Sequence, residues 1–232
     1  MRRLTVTLLL PVLNEIEGLK RFLPAIDRSL FDDIVIMDGN STDGSQEYAL
    51  SQGVRVFTQL RKGLANGYFD IFRALDTDYI VLFSPDGNCL IENLPQIVAK
   101  IHDGYDLVVV SRYLPPARSD DDTLITAFGN RMFSLFVRFL GAYPVSDALT
   151  IYRGVRRDIV LNADFERMLY GPVFEPLTTS LCILGRRRMI EIPGNEPKRI
   201  GGRSKMSVVY NGSCLLLMVV RLYLQRFLHI RI

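Results

Sequence analysis

Three short strings in this 232-residue chain gather residue types able to do chemistry. The first, Asp38-Gly39-Asn40-Ser41-Thr42-Asp43-Gly44-Ser45, follows an apolar run and opens a helix-like stretch. A carboxylate at Asp38 could accept hydrogen bonds from a ribose hydroxyl or a base edge. Ser41 or Thr42 could cap the helix, and Ser41 and Asp43 equally suit capping and nothing more. The second string, Ser84-Pro85-Asp86-Gly87-Asn88, ends the apolar run Tyr79–Phe83. A carboxylate and a carboxamide two residues apart on a turn can aim oxygens at one hard cation, Mg²⁺ or Mn²⁺, above all when phosphates complete the shell. The same residues also make an ordinary turn. The third, Lys198-Arg199-Ile200-Gly201-Gly202-Arg203-Ser204-Lys205, packs four cations, two glycines and a hydroxyl into one loop. That suits a diphosphate, or a solvated basic surface. Neither a GxGxxG fingerprint nor a Walker A loop occurs, which disfavours the usual dinucleotide and P-loop sites.

The elements that must position these strings follow from hydrophobic spacing. Strands are expected at Leu4–Leu10, Asp33–Met37, Gly53–Gln59, Tyr79–Phe83 and Asp106–Ser111, with a last one at Arg188–Ile192. Helices are expected at Glu17–Leu30, Thr42–Ser51, Gly63–Leu75, Ile91–His102, Leu124–Leu140 and Phe174–Leu184, and from Met206 onward. This alternation predicts an α/β fold with a mainly parallel sheet and right-handed crossovers. Ligands of such sheets bind beyond the carboxyl ends of the strands. Those ends are Pro11–Glu15, Asp38–Ser45, Gln59–Gly63, Ser84–Asn88 and Ser111–Tyr113. Leu114–Asp122, with two prolines and three consecutive acids, reads as a mobile loop placed to act as a lid.

Composition excludes several classes. At 48% hydrophobic and 23% charged residues the chain is neither disordered nor fibrous. Three scattered cysteines, Cys89, Cys182 and Cys214, make no disulfide framework or zinc motif. The first residues lack a cleavage site, so a buried strand and a reducing cytoplasmic setting are expected. The net charge of +3 is uneven: from Arg186 onward ten Lys/Arg face only Glu191 and Glu196. Such a tail suits an anionic partner, a phosphate or a membrane surface. No basic motif interleaved with aromatics points to nucleic acid. The apolar run Cys214–Val220 is too short to span a bilayer. Leu215–Leu228, flanked by arginines, suits an interfacial or docking helix, or a helix packed on the sheet.

Pro11-Val12-Leu13-Asn14-Glu15, Asp38 to Gly44, Lys62-Gly63-Leu64-Ala65, Ser84 to Asn88, Ser111-Arg112-Tyr113, Val145-Ser146-Asp147, Glu191-Ile192-Pro193 and Arg199 to Lys205 occur in that order. Together they resemble the inverting GT-A glycosyltransferases of family 2, most nearly the polyprenyl-phosphate sugar transferases, which include dolichol-phosphate mannose synthases. The resemblance implies a GT-A catalytic domain over 1–205, with 206–232 as a C-terminal helix of the same domain. It implies that Pro11, Leu13 and Glu15 line a nucleobase pocket, that Asp38 contacts base or ribose, and that Lys62 and Gly63 lie nearby. Asp86 matches the last carboxylate of the family's Asp-x-Asp motif, with Asn88 as a second metal ligand for Mg²⁺ or Mn²⁺. Arg112 would face the acceptor phosphate and Asp147 the acceptor side, as base if the acceptor were a sugar hydroxyl. Arg199, Ser204 and Lys205 would close over the diphosphate. Ser84 departs from the pattern, standing where the first carboxylate is usual.

The implied activity is inverting transfer of a hexose from a GDP- or UDP-linked sugar to a polyprenyl phosphate at the cytoplasmic face of a membrane. The enzyme would be peripheral there, with a membrane-anchoring subunit or a second copy as possible partner and no nucleic acid. A saccharide acceptor, or a nucleotide-sugar-binding subunit without turnover, are the alternatives.

Overall fold

In the computed structural model, which describes residues 3–141, 143–200 and 207–228, the expected alternation becomes one sheet. Its strands are β1 (Val6–Val12), β2 (Asp33–Asp38), β3 (Arg55–Thr58), β4 (Tyr79–Leu82), β5 (Leu107–Ser111), β6 (Arg153–Arg156) and β7 (Met189–Pro193). They lie in the order β3-β2-β1-β4-β6-β5-β7. All neighbours run parallel except β6, which is antiparallel to both β4 and β5. The helices are α1 (Ile16–Phe22), α2 (Ser45–Ser51), α3 (Leu64–Ala74), α4 (Leu94–His102), α5 (Leu124–Phe139), α6 (Arg157–Val160), α7 (Ala163–Met168), α8 (Phe174–Leu184) and α9 (Val208–Leu228).

Both faces of the sheet are covered, so the parallel strands β1, β4 and β5 are mainly apolar. Successive residues alternate between the layers. Leu8 and Leu10 face the core under α1, α2 and α4, with Leu19, Phe22, Ala49 and Ile97. Leu9 faces the other core, with Tyr68 and Phe72 of α3 and Phe174 and Leu177 of α8. Leu215, Met218, Val219 and Leu222 of α9 join this second core, so one face of the last helix packs on the domain.

Four expectations change. The single helix over Glu17–Leu30 stops at Phe22, because Pro24 has no amide donor to continue it. Short 3₁₀ turns at Leu23–Ala25 and Arg28–Leu30 replace the remainder. The helix expected from Thr42 starts at Ser45 behind Gly44, so neither Ser41 nor Thr42 caps it. Leu114–Asp122 is tied down: Ser119 bridges Glu196, and the Asp120 amide donates to the Glu196 carbonyl at 2.8 Å.

The fourth change is β6, for which the sequence shows two arginines around a glycine and no apolar run. Arg153 is nonetheless fully buried. Its guanidinium donates to the carbonyls of Thr150, Ala148 and Glu175 and to the hydroxyls of Thr178 and Thr179. With its donors satisfied the strand can carry an arginine inward, although burial lowers that guanidinium to about 10. Gly154 lets α4 approach closely, since a Cβ there would lie 2.7 Å from Ile97 Cγ2.

Candidate active site

The carboxyl ends of β1 and β2 are sewn together by side-chain to backbone bonds. The Asn14 amide donates to Ser41 Oγ (2.9 Å), and the Thr42 amide donates back to Asn14 Oδ1 (2.8 Å). The Ile16 amide donates to Asp43 Oδ2 (3.0 Å) and the Glu15 amide to Ser45 Oγ (3.1 Å). Burial works to raise the Asp43 carboxyl, but the bonds from Ser45 and Ile16 outweigh it and hold the group below its ordinary range. Asn14 and Asn40 sit in the left-handed region, φ 59° and 68°, where asparagine is tolerated.

Asp38 ends β2 and is fully buried. Its Oδ2 accepts from the amides of Asn40 (2.9 Å) and Ser41 (3.0 Å). Its Oδ1 has no partner. An unsatisfied buried acceptor costs about 1–3 kcal/mol. That oxygen is therefore ready for a ligand's hydroxyl or N–H. Pro11 is buried in β1 beyond Leu9↔Leu82, the last β1–β4 pair, so its missing amide breaks no β4 bond. Leu13 is exposed, Glu15 is half-exposed, and Lys62 and Gly63 form an exposed turn leading into α3. The turn is braced by Gln59 Nε2 donating to the Gly63 carbonyl (2.6 Å).

The loop after β4 brings the other two strings together. Asp86, 6% exposed, accepts the Asn88 amide on Oδ1 (3.1 Å) and faces Arg199 Nη2 on Oδ2 (3.2 Å). Asn88 Nδ2 donates to the Pro197 carbonyl (2.8 Å), and the Ile200 amide donates to the Asp86 carbonyl (2.9 Å). The described start of the basic string, a strap over 198–200, thus lies against the Asp86 loop. Arg199 Nε also approaches Asp121 (3.7 Å). Ser204 and Lys205 lie outside the described residues. Gly18 of α1 packs against this loop so closely that a Cβ would stand 2.0 Å from the Pro85 carbonyl oxygen. A cleft of about 200 Å³ opens between Asn14, Asp43, Gly18, Pro85, Asp86 and Ile200. Whole-ligand pockets run to roughly 300–1,000 Å³, so this cleft has room for only part of such a ligand.

Among the described residues no three His, Cys, Asp or Glu side chains are placed to hold a metal. Asp86 and Asn88 supply hard oxygen donors on one turn, which fits a cation whose remaining ligands are phosphate oxygens and water.

The other end of the site is a network of ion pairs. Arg112, at the end of β5, is clamped by Asp147 through Nε (2.7 Å) and Nη2 (3.0 Å). Its Nη1 reaches Glu196 at 3.2 Å. Burial opposes the Arg112 charge, but Asp147 and Glu196 raise it well above its ordinary value. Asp147 is fully buried and also accepts the amides of Leu149 (3.3 Å) and Thr150 (3.1 Å). Burial would raise it, yet Arg112 holds its carboxyl below the usual range. Glu191 accepts the amides of Ser146 and Asp147 and the Ser146 hydroxyl. For Glu191 and Glu196 burial wins and both carboxyls are pushed up.

Arg112 and Asp147 therefore meet, as do Asp86, Asn88 and Arg199. Glu196 is the residue that sequence reasoning missed. It joins the strap to Arg112 and to the loop at Ser119, whose hydroxyl donates to it. Its signal was slight: one of only two acids in a basic tail.

Known proteins share the sequence pattern and the fold. A chain from Mycobacterium tuberculosis named an uncharacterized glycosyltransferase is 28% identical over 210 residues, covering 90% of this chain and 93% of its own. The dolichol-phosphate mannosyltransferase of Pyrococcus furiosus is 23% identical over 216 residues, 87% of this chain and 59% of that enzyme. Among solved structures, M. tuberculosis glucosyl-3-phosphoglycerate synthase with Mg²⁺ and UDP superposes with a TM-score of 0.68 at 19% identity, over 96% of this chain and 79% of that one. At that identity the likeness concerns the GT-A fold. The model of glycosyl transferase family 2 matches residues 7–162. With more than half its length under that model, and with the Asp38 and Asp86 loops at the carboxyl ends of β2 and β4, the chain belongs to glycosyltransferase family 2.

Proposed function

We propose that this glycosyltransferase moves a hexose, with inversion, from a GDP- or UDP-linked sugar to a polyprenyl phosphate at the cytoplasmic face of a membrane. The observation that carries the donor half is the pairing of Asp86 with Arg199 beside the cleft. Asp38 Oδ1 takes a donor from base or ribose, with Pro11, Leu13 and Glu15 around the base and Lys62 and Gly63 at its edge. Arg199 turns from Asp86 to the diphosphate, joined by Ser204 and Lys205 of the same string. Asp86 and Asn88 would hold Mg²⁺ or Mn²⁺, which when bound neutralises charge on the departing diphosphate.

The acceptor half rests on Arg112. A phosphate nucleophile is already anionic, so it needs positioning and no strong base. Arg112 stands at the end of β5 with Nε and Nη2 held by Asp147, and would turn Nη1 from Glu196 to an arriving phosphate. Asp147 then acts through Arg112. A hydroxyl acceptor would need a carboxylate base, and Asp147, with both oxygens bonded and its carboxyl held low, is poorly suited to that work. Support for the lipid comes from the Pyrococcus relative named above, which is a dolichol-phosphate enzyme. The test supplies radiolabelled GDP- and UDP-sugars with a polyprenyl phosphate in detergent. Label moving into the organic phase is expected; label released only into water-soluble glycosides would refute the lipid acceptor.

A further inference from the structure

Helices α5 and α9 lie against each other over the same core, tied by the Tyr223 hydroxyl donating to the Phe136 carbonyl (3.0 Å). Each turns a second apolar face to solvent. On α5 this face is Leu124, Phe128, Leu135 and Phe139, at spacings of four, seven and four residues that fall on one side of a helix. Leu124 is 92% and Phe128 70% exposed. On α9 it is Val209, Leu216, Val220 and Phe227, again one side, opposite buried Met218 and Leu222. Exposed apolar area of this extent marks a docking surface.

Charge identifies the occupant. Across the 16 residues of α5 and the 21 of α9 there is no Asp or Glu, although the chain holds 25 such residues. Their charges are Arg131, Arg138, Arg221 and Arg226, none of them ion-paired among the described residues. Arg131 and Arg221 lie over aromatic rings, 5.1 Å from Tyr113 and 5.0 Å from Tyr170. The acids next to α5 are already engaged: Asp122 by Tyr113 and Asn130, Asp121 with Arg199. A second copy of this chain would set arginines against arginines. An anionic bilayer accepts both features, the apolar stripe entering the acyl boundary and the arginines meeting lipid phosphates.

The geometry points to the joint outer face of α5 and α9 as a platform that lies on an anionic lipid surface. This deepens the lipid-acceptor reading and rests on it for its purpose. The platform adjoins the acceptor end of the site: Tyr113 carries Arg131 of α5 at 5.1 Å and Arg112 at 5.3 Å. Arg131 of the platform and Arg112 of the site thus share one aromatic ring.

The test is flotation of the full chain with vesicles of phosphatidylcholine alone or mixed with phosphatidylglycerol, none containing polyprenyl phosphate. Flotation with the mixed vesicles and little with phosphatidylcholine is expected. Arg138→Ser and Arg226→Ser should each weaken it roughly fivefold, and the pair Leu124→Ser, Phe128→Ser should abolish it. All variants should unfold at the wild-type temperature and transfer normally to a short-chain acceptor dissolved in water. A chain that never floats, that floats equally on neutral lipid, or that forms a dimer broken by Phe128→Ser overturns the platform. Binding to vesicles without any sugar reaching lipid would leave the platform standing and remove the lipid acceptor.

Discussion

The two ends of the site hold their charges in opposite ways. On the proposed donor side, between β1, β2 and β4, loops are stitched by side-chain to backbone bonds, and key carboxylates keep an oxygen open or facing a half-exposed cation: Asp38 Oδ1 and Asp86 Oδ2. On the proposed acceptor side, around β5 and β7, the charges are already engaged: Arg112 with Asp147 and Glu196, and Glu191 on the Ser146 and Asp147 amides. The donor side is prepared to recognise something that arrives. The acceptor side is a buried frame whose parts stabilise each other, so changes there should cost the fold as well as the reaction.

The largest effect is expected at Asp147→Ala. It removes the two-pronged partner of the buried Arg112 and leaves that cation with Glu196 alone; breaking a buried pair destabilises by about 3–5 kcal/mol. Urea unfolding would measure it; a loss under ~1 kcal/mol, the size of a surface pair, would erase the distinction between the two ends. Next is Asp86→Ala, for which transfer should fall roughly 100- to 1,000-fold. The change leaves a half-exposed Arg199 and one unpaired Asn88 amide, so stability should fall by only about 1–3 kcal/mol, less than at Asp147. Full activity without any divalent ion would remove Asp86 from the donor site. For Asp38→Asn, the dissociation constant for the nucleotide, read by calorimetry, should rise about 5- to 150-fold, the size of one lost buried bond. Gly18→Ala sets a methyl against the Pro85 carbonyl and should destabilise by about 1–3 kcal/mol, weakening nucleotide binding with it.

The smallest effect, and the sharpest test of the acceptor frame, is in pH. Asp147 is held below its ordinary 3.8, so its contribution to stability is present above that value and lost as pH falls through the folded one. Glu196 is raised above its ordinary 4.5, so its ionisation takes stability away as pH rises from there. The stability difference between wild type and Asp147→Asn should therefore grow as pH rises out of the acid range. The difference between wild type and Glu196→Gln should shrink over pH values above 4.5. Parallel slopes for the two variants would contradict the opposed environments.

Apolar runs and helical spacing carried most of the architecture on their own. Phe174–Leu184 forms the expected helix residue for residue, and the parallel strands fall within one or two positions of their apolar runs. That is so because burial on two sheet faces demands continuous apolar strands, and a local pattern records that demand. The place of the Asp38 and Asp86 loops at the carboxyl ends of β2 and β4 was legible for a similar reason: each follows its apolar run directly. What only the tertiary structure decided is whatever depends on partners remote in sequence. Arg153 can sit in a central strand because α8 offers threonines and a carbonyl some 25 residues away. Glu196 completes the site because the chain returns along β7, 84 residues after Arg112. A buried charge is allowed by its neighbours in space, and no spacing along the chain announces them.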